Sequence, residues 1–446
     1  MDNTGHIILV IADSLRYDTV WGGGHSRLNF LQSRSTTFHN AYSAGCWTLP
    51  STASIFTGLS PHEHGSTTRT RGLDSSIPTL AQHLKEQGYT TVQLTANTVT
   101  THIFGLDRGF DRIEPIWRFI NPTKNPLGNF IVLFGKRRIR KKLLNGDLLT
   151  GRMTEDLRAS QSWIRSLGNY QLDRAFRVLE EADREQRKVF LFINLMETHF
   201  PYHIDNKFRL RSRSVQDKYN EMKSLFHLVN QSWLSSERQH FQINFLRLLR
   251  NRQKIAWRRL SRFIDIFSEV IITKYPESLL VFTSDHGDNF GDEGWNYHFG
   301  NVTEAGNRVP LFVAGPNIPA NREIKQPVSI RNLFQLVRNA AGRPPHLADL
   351  GLESDQPPVL ESFWYDKNGQ TLAQFREDKF AFVHDGNRYI MRGNRWRKSA
   401  LGVRDSALVS SEDIDGDPIY DLPLYPENRK ILIEQFDGFQ RFSRSI

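Results

Sequence analysis

Asp13, Thr48, Asp285 and His286 are the side chains whose types could assemble chemistry in this 446-residue chain. The two carboxylates are hard oxygen ligands, the imidazole adds a borderline nitrogen, and the hydroxyl adds a further donor. Together they suit one divalent cation. Such a cation would lower the pKa of the Thr48 hydroxyl and neutralise charge on a phosphoryl or sulfuryl group in transfer. Attack by Thr48 would then form a covalent ester that water or an acceptor alcohol resolves. His199 and His298 suit the companion roles of donating to non-bridging oxygens and protonating a leaving group. Each residue also has a plainer reading: Thr48 or Asp13 as a helix cap, His199 as a loop histidine, Asp285-His286 as a turn.

What would bring them together is the arrangement of elements around them. Thr48 sits in SAGCWTLPSTASIFTGLSPHEHG, residues 43–65, where Pro50 predicts a helix start. That start would put the Thr48 hydroxyl before unpaired backbone N–H groups and the positive end of a helix dipole, where an anionic ester could dock. Ile7 to Ala12 is a continuous apolar, β-branched run that ends at Asp13 and reads as a strand buried on both faces. Tyr89 to Thr95 follows an amphipathic helix at Thr79 to Gly88 and ends in Ala96-Asn97. Val189 to Leu195 follows a charged helix around Leu172 to Gln186 and ends in Glu197-Thr198-His199. Leu279 to Thr283 ends in Ser284-Asp285-His286-Gly287, and Val309 to Ala314 follows Arg308. Strands alternating with helices predict a parallel α/β sheet, and such sheets bind ligands beyond the carboxyl ends of their strands. Asp13, His199, Asp285 and His286 all fall at that edge.

Length and composition describe a globular chain with room for a large core. Lys plus Arg exceed Asp plus Glu by 58 − 48 = 10, which favours anionic partners without naming one. The single cysteine, Cys46, excludes an internal disulfide and a multi-cysteine zinc site. The run from MDNTGH into IILVIADSLRYD has no basic n-region or cleavage site, and no apolar run nears the roughly 18 residues of a membrane span. A cytoplasmic location is the expectation. In KRRIRKK, Lys136 to Lys142, six of seven residues are basic: a solvated helix face, or a peripheral contact with an anionic surface. Residues 204–272 have helical spacing and predict two or more long helices. From about Pro357 the pattern changes to a β-hairpin, Lys379 to His384 and Arg388 to Arg392 around Asp385-Gly386-Asn387, with another short strand and a helix expected in Asp417 to Ile433.

The segments IILVIADSLRYD, TLPSTASIFTGLSPHEHG, IPTLAQHLKEQGYTTVQLTAN, RGFDRI, FLFINLMETHFPY, VFTSDHGDNFGDEGWNYH, RVPLFVAGP and IYDLPLYPENRK resemble, in order, the sulfatase family of the alkaline phosphatase superfamily. The resemblance leaves out residues 117–170 and 204–272. It implies an alkaline-phosphatase-like α/β fold, a mostly parallel central sheet flanked by helices, with a catalytic domain over 1–356 and a small α+β subdomain over 357–446. It puts Thr48 at the nucleophile position and Thr52 where the family has an arginine. Cys46 lies two residues too early, so no formylglycine is expected, and a threonine nucleophile looks more like the phosphoethanolamine transferase branch. The family's paired aspartates appear as Asp13-Ser14, and its later Asp-Asn as Asp285-His286, which shifts the expected metal from calcium towards zinc or manganese. His298 stands near the family's lysine, and His199 matches its H-x-P-Y histidine. Ser51, His64 and Arg308 are expected to contact substrate. The expectation is a metal-dependent hydrolase of a sulfate or phosphate ester on a carbohydrate or lipid headgroup, with no nucleic-acid partner. A phosphotransferase or phosphodiesterase, and a non-catalytic protein that binds anionic glycans or lipids, are the alternatives.

Overall fold

A computed structural model describes residues 4–22, 26–70, 72–116, 167–200, 202, 239–353, 356–363, 377–392, 395–400, 411–414 and 416–444. The core of the fold is a nine-stranded sheet. Its strands are β1 (Ile7–Ala12), β2 (Thr36–Tyr42), β3 (Thr90–Thr95), β4 (Arg112–Pro115), β5 (Val189–Leu195) and β6 (Leu279–Thr283), followed after a small hairpin, β7 (Asn289–Phe290) and β8 (Asn296–Tyr297), by β9 (Arg308–Ala314), β10 (Arg322–Ile324) and β11 (Val328–Ser329). The order is β10-β2-β9-β6-β1-β5-β3-β4, with β11 on the remaining length of β2. β1 lies between β5 and β6 in parallel register, and β3 continues the parallel set between β5 and β4.

Period-two alternation divides β1 between two cores. Ile7, Leu9 and Ile11 face one layer with Leu49, Ala53 and Phe56 of helix α1 (Thr48–Thr57) and with Leu80, Leu84, Leu333 and Leu336. Ile8, Val10 and Ala12 face the other, against Leu172 and Leu179 of α2 (Leu167–Arg184) and Trp257, Ile264, Phe267 and Ile271 of α3 (Gln239–Lys274). Burial on both faces is why this strand reads as an unbroken apolar run.

Two expectations for the main sheet and its flanking helix differ from the structure. The strand expected at Val309 to Ala314 does not join the parallel set; β9 is antiparallel to both β6 and β2. A parallel return needs a crossover, usually a helix. The chain between Thr283 and Arg308 instead spends its length on the β7–β8 hairpin and the four-residue helix Glu304–Asn307, so it turns back at the same edge. Helix α1 begins at Thr48 rather than near Pro50, with Trp47 as its N-cap. Of the helices expected over 204–272, the described part is one 36-residue helix, α3; residues 203–238 and Lys136–Lys142 lie outside the described residues.

A second, five-stranded antiparallel sheet runs in the order β12 (Val359–Ser362), β13 (Lys379–His384), β14 (Asn387–Arg392), β15 (Arg395–Ala400), β16 (Ser411–Ile414). The expected hairpin is there, turning through Asp385 and Gly386 at φ 44° and 70°, the left-handed pair that a two-residue hairpin loop requires. No strand forms in the described part of 417–433. Asp417 accepts from Ile419 N at 3.0 Å with Pro418 at the first helical position, which starts the short helix Pro418–Asp421 ahead of α4 (Pro426–Arg444). This sheet braces the segment before Thr48: Glu361 N donates to Ala44 O at 2.8 Å, and Cys46 Sγ lies 3.6 Å from Ser362 Oγ. Among the described residues no helix is long and apolar enough to cross a membrane.

Candidate active site

The carboxyl ends of β1, β3, β5 and β6 converge on one buried polar cluster. Asp13 directly follows β1; its backbone N donates to Leu195 O at 2.8 Å, and its carbonyl accepts from Thr198 Oγ1 at 2.8 Å. Ser14 comes next at φ 59°, a left-handed conformation that costs a non-glycine residue energy and persists only where surroundings enforce it. Here Ser14 N donates to Asp285 Oδ1 at 3.2 Å, while its carbonyl accepts from buried Gln253 of α3 at 2.9 Å. That turn points the Asp13 carboxylate and the Asp285 carboxylate at each other. Gly287 makes the second approach possible: a Cβ there would lie 2.0 Å from Ala305 O, and Gly287 N donates to Gly306 O at 2.8 Å.

Asp13, Asp285 and His286 offer three ligand atoms within 4.8 Å of one another, all buried. His286 Nε2 lies 3.6 Å from Asp13 Oδ1 and 3.5 Å from Asp285 Oδ2. Its Nδ1 lies 2.7 Å from Gly287 O. A carbonyl only accepts, so the proton sits on Nδ1 and the Nε2 lone pair faces the carboxylates, the arrangement of a metal-ligating histidine. Thr48 Oγ1 completes the group, 3.4 Å from Asp13 Oδ2 and 3.4 Å from His286 Nε2. Asp285 Oδ2 is buried and has no hydrogen-bond partner among the described residues. An orphaned carboxylate oxygen beside a second carboxylate and an imidazole lone pair is a poor arrangement for protein alone and a good one for a cation.

Electrostatics agree. Burial, followed by the neighbouring Asp13 charge, pushes the Asp285 carboxyl well above the usual carboxylate range. Burial opposes ionisation of Asp13 too, but His199, His286 and the Asn97 and Asn194 amides overcome it and hold that carboxyl low. Burial keeps His286 and His298 neutral, with His286 and His199 adding to the effect on His298. The rings of His286, His298 and His199 stand in a row, centroids 4.6 Å and 5.1 Å apart, leading from the buried cluster to half-buried His199. His298 Nδ1 is 3.5 Å from Asp288 Oδ1, and His199 Nδ1 bonds Phe200 O at 2.7 Å. Burial raises the Asp288 carboxyl to about 6 against its hydrogen bond from Tyr202.

The other expected site residues lie in neighbouring positions with partners of their own. Ser51 Oγ donates to Gly45 O at 2.9 Å and bonds Ser43 Oγ. His64 bridges Ser54 Oγ and Ser66 N at 3.0 Å each. Arg308 pairs with Glu304 at 2.9 Å, donates to His39 O and stacks its guanidinium 3.9 Å from the Tyr17 ring centre. The structure brings none of these three into contact with the Asp13–Asp285 pair. It does add residues that sequence reasoning passed over. Asn97, just beyond β3, donates to Asp13 Oδ2 at 2.7 Å and to Thr48 Oγ1 at 3.3 Å, and Asn194 donates to Asp13 Oδ2 at 3.3 Å. Asn194 left a signal as the lone polar residue in the apolar run VFLFINL. Buried Arg16, gripped by Asp18 and Asp292, donates to Asp288 O at 2.8 Å and pins the loop after His286.

Comparison with known proteins decides the family. The family described as Sulfatase matches residues 5–342, most of the chain. This protein belongs to the sulfatase family. It is therefore an ester hydrolase or transferase of the alkaline phosphatase superfamily. The choline-sulfatase of Rhizobium meliloti is 25% identical over 395 residues, covering 80% of this chain and 72% of that protein. Among solved structures, a phosphonate monoester hydrolase from Silicibacter pomeroyi superposes with a TM-score of 0.65 at 16% identity, over 97% of this chain and 96% of the other. The lipoteichoic acid synthase LtaP from Listeria monocytogenes gives 0.57 at 13% identity, over 100% and 91%. These likenesses establish the alkaline-phosphatase-like fold. Sulfatases of this superfamily use a divalent metal ion, and in this one the Asp13, Asp285 and His286 cluster fits such an ion.

Proposed function

We propose that this sulfatase-family protein is a metal-dependent hydrolase of sulfate monoesters with Thr48 as its nucleophile. The observation that carries the reading is the position of Thr48 Oγ1, 3.4 Å from both Asp13 Oδ2 and His286 Nε2 in the first turn of α1. The helix N-terminus there favours negative charge on the hydroxyl and on an incoming ester. Asp13, Asp285 and His286 would hold the cation, with Thr48 as fourth donor. Their mixed oxygen and nitrogen donor set would suit zinc, then manganese, ahead of the oxygen-only sets calcium takes. When bound, the cation supplies the positive charge that lowers the hydroxyl pKa and offsets charge on the ester oxygens.

Thr48 Oγ1 passes its proton to Asp13 Oδ2, 3.4 Å away, and forms a bond to sulfur as the bond to the leaving oxygen breaks. His199, at the outer end of the imidazole row, hands that oxygen a proton from Nε2, its Nδ1 being engaged by Phe200 O. Water, giving a proton to His199, then cleaves the Thr48 ester to release hydrogen sulfate, and Asp13 returns the proton that restores the hydroxyl. Charge selects the ester class. The two carboxylates offset a divalent cation, and among the described residues no Lys or Arg pairs with Asp13 or Asp285. Such a site matches a singly charged group better than a phosphate monoester carrying nearly two charges. The choline-sulfatase relative supports the sulfate reading. A phosphodiester carries the same single charge, which makes phosphodiester cleavage or transfer the second reading.

The test is turnover of matched aryl sulfate, phosphate monoester and phosphodiester by wild type and Thr48→Ala, each loaded with zinc, manganese or calcium. We expect sulfate hydrolysis to lead and to fall by about a thousandfold or more in the variant. Equal rates in the two proteins would remove Thr48 from the mechanism, and a preference for the phosphate monoester would sink the charge argument.

A further inference from the structure

We infer that Asn97 is a further catalytic residue, its side-chain amide donating to the Thr48 oxygen while negative charge develops there; the inference rests on Thr48 being the nucleophile. Nδ2 lies 2.7 Å from Asp13 Oδ2 and 3.3 Å from Thr48 Oγ1. The amide cannot turn over to present its oxygen, because Oδ1 accepts from Val99 N at 2.8 Å. Its two N–H groups therefore face two acceptors, one on each residue. The backbone beneath is held as firmly: Asn97 N donates to Thr95 Oγ1 at 3.0 Å, and Asn97 O accepts from Thr100 Oγ1 at 2.9 Å.

This geometry has two consequences for the nucleophile. An N–H pointing at one Oγ1 lone pair leaves the hydroxyl proton directed towards Asp13 Oδ2 at 3.4 Å, so the oxygen starts in an orientation from which it can lose that proton. Charge also returns to Oγ1 when water expels it from the covalent ester. A fixed donor in a buried site stabilises that charge in both steps without reorganising. Because the amide is neutral it adds nothing to the charge of the site, which stays matched to a singly charged ester.

The experiment uses the full chain loaded with zinc, the aryl sulfate as probe, and the variants Asn97→Ala, Asn97→Asp, Asn97→Ser and Thr48→Ala. We expect kcat of Asn97→Ala to fall about a hundredfold to a thousandfold with KM little changed and bound zinc per chain unchanged. Asn97→Ser, which keeps a small donor, should recover part of the loss. Asn97→Asp should be poorest near neutral pH and regain activity as pH falls and the introduced carboxyl protonates into a donor, a response that mere space-filling would not produce. Turnover of Asn97→Ala within about threefold of wild type, beside an inactive Thr48→Ala, overturns the Asn97 role alone. Loss of zinc in step with loss of turnover also overturns it, since the amide would then serve only to hold Asp13. Full activity in Thr48→Ala overturns the nucleophile reading and this inference with it. Should Asn97→Ala fail to fold, the pH profile of Asn97→Asp decides.

Discussion

Asp285 Oδ2 is a buried oxygen with no hydrogen-bond partner among the described residues and a second carboxylate for a neighbour. Without a cation the pair destabilises the fold, which gives a prediction opposite in sign to that for an ordinary buried residue. Metal-free Asp285→Asn should melt no lower than metal-free wild type, because one of two opposed carboxylates is gone. Zinc should then raise the melting temperature of wild type and leave the variant nearly unmoved. A variant that still binds zinc stoichiometrically, by elemental analysis, would show that the cation sits elsewhere. At this scale the sequence revealed chemical types and not partners. Asp13, Thr48, Asp285 and His286 were readable because each closes or opens an element that could be read. Asn97 stood in plain view after its strand, but its value depends on Val99 fixing the amide and on β1 lying two strands away, neither of which spacing reveals. For the same reason the sequence could not show that His64 turns to Ser54 and Arg308 to Glu304.

Elements position the cluster through backbone contacts too close for most side chains. Gly287 is the sharpest case, since a Cβ would overlap Ala305 O and push the Asp285–Asp288 turn away from Asp13. Gly287→Ala is expected to cost about 1 to 3 kcal/mol of stability and to lower activity further than that loss explains. Urea unfolding paired with turnover checks it, and normal kinetics in the variant would show the turn to be tolerant. Strands buried on both faces, β1, β5 and β6, were legible to the residue as continuous apolar runs. β2 was not: TTFHNAY carries a register shift between Phe38 and Ala41 and mixes polar with apolar residues, so neither strand pattern persists long enough to read. The direction of β9 escaped for a different reason, since it depends on what the preceding 24 or so residues build rather than on β9 itself.

Over the whole molecule, the five-stranded sheet and α4 dock through a buried ion pair. Glu361 of β12 accepts from both Nδ1 and the backbone N of His62, at 2.7 and 3.0 Å. α4 comes so close that a Cβ on Gly438 would lie 2.3 Å from His62 Nε2. Burial acts to lower the His62 pKa, but the hydrogen bond and charge of Glu361 outweigh it and raise it above its ordinary 6.5. A raised folded-state pKa stabilises fully below 6.5, and that stability is lost as pH climbs through the raised value. Wild type should therefore lose stability from neutral to mildly alkaline pH, and His62→Gln should show a flatter profile over the same range. Parallel profiles in urea titrations would show that the pair does not govern docking.

The hydrogen bond from Glu361 to Ala44 also has a meaning in time. A chain leaving the ribosome completes α1 early, and β6 brings Asp285 and His286 only after more than half the protein has been made. Even then the segment leading into Thr48 lacks its brace, which arrives with residue 361 and is clamped only when α4 has emerged. A nascent chain thus carries every residue of the cluster before the contact that braces the segment leading into Thr48 can form, and that brace is clamped only once α4 has been translated.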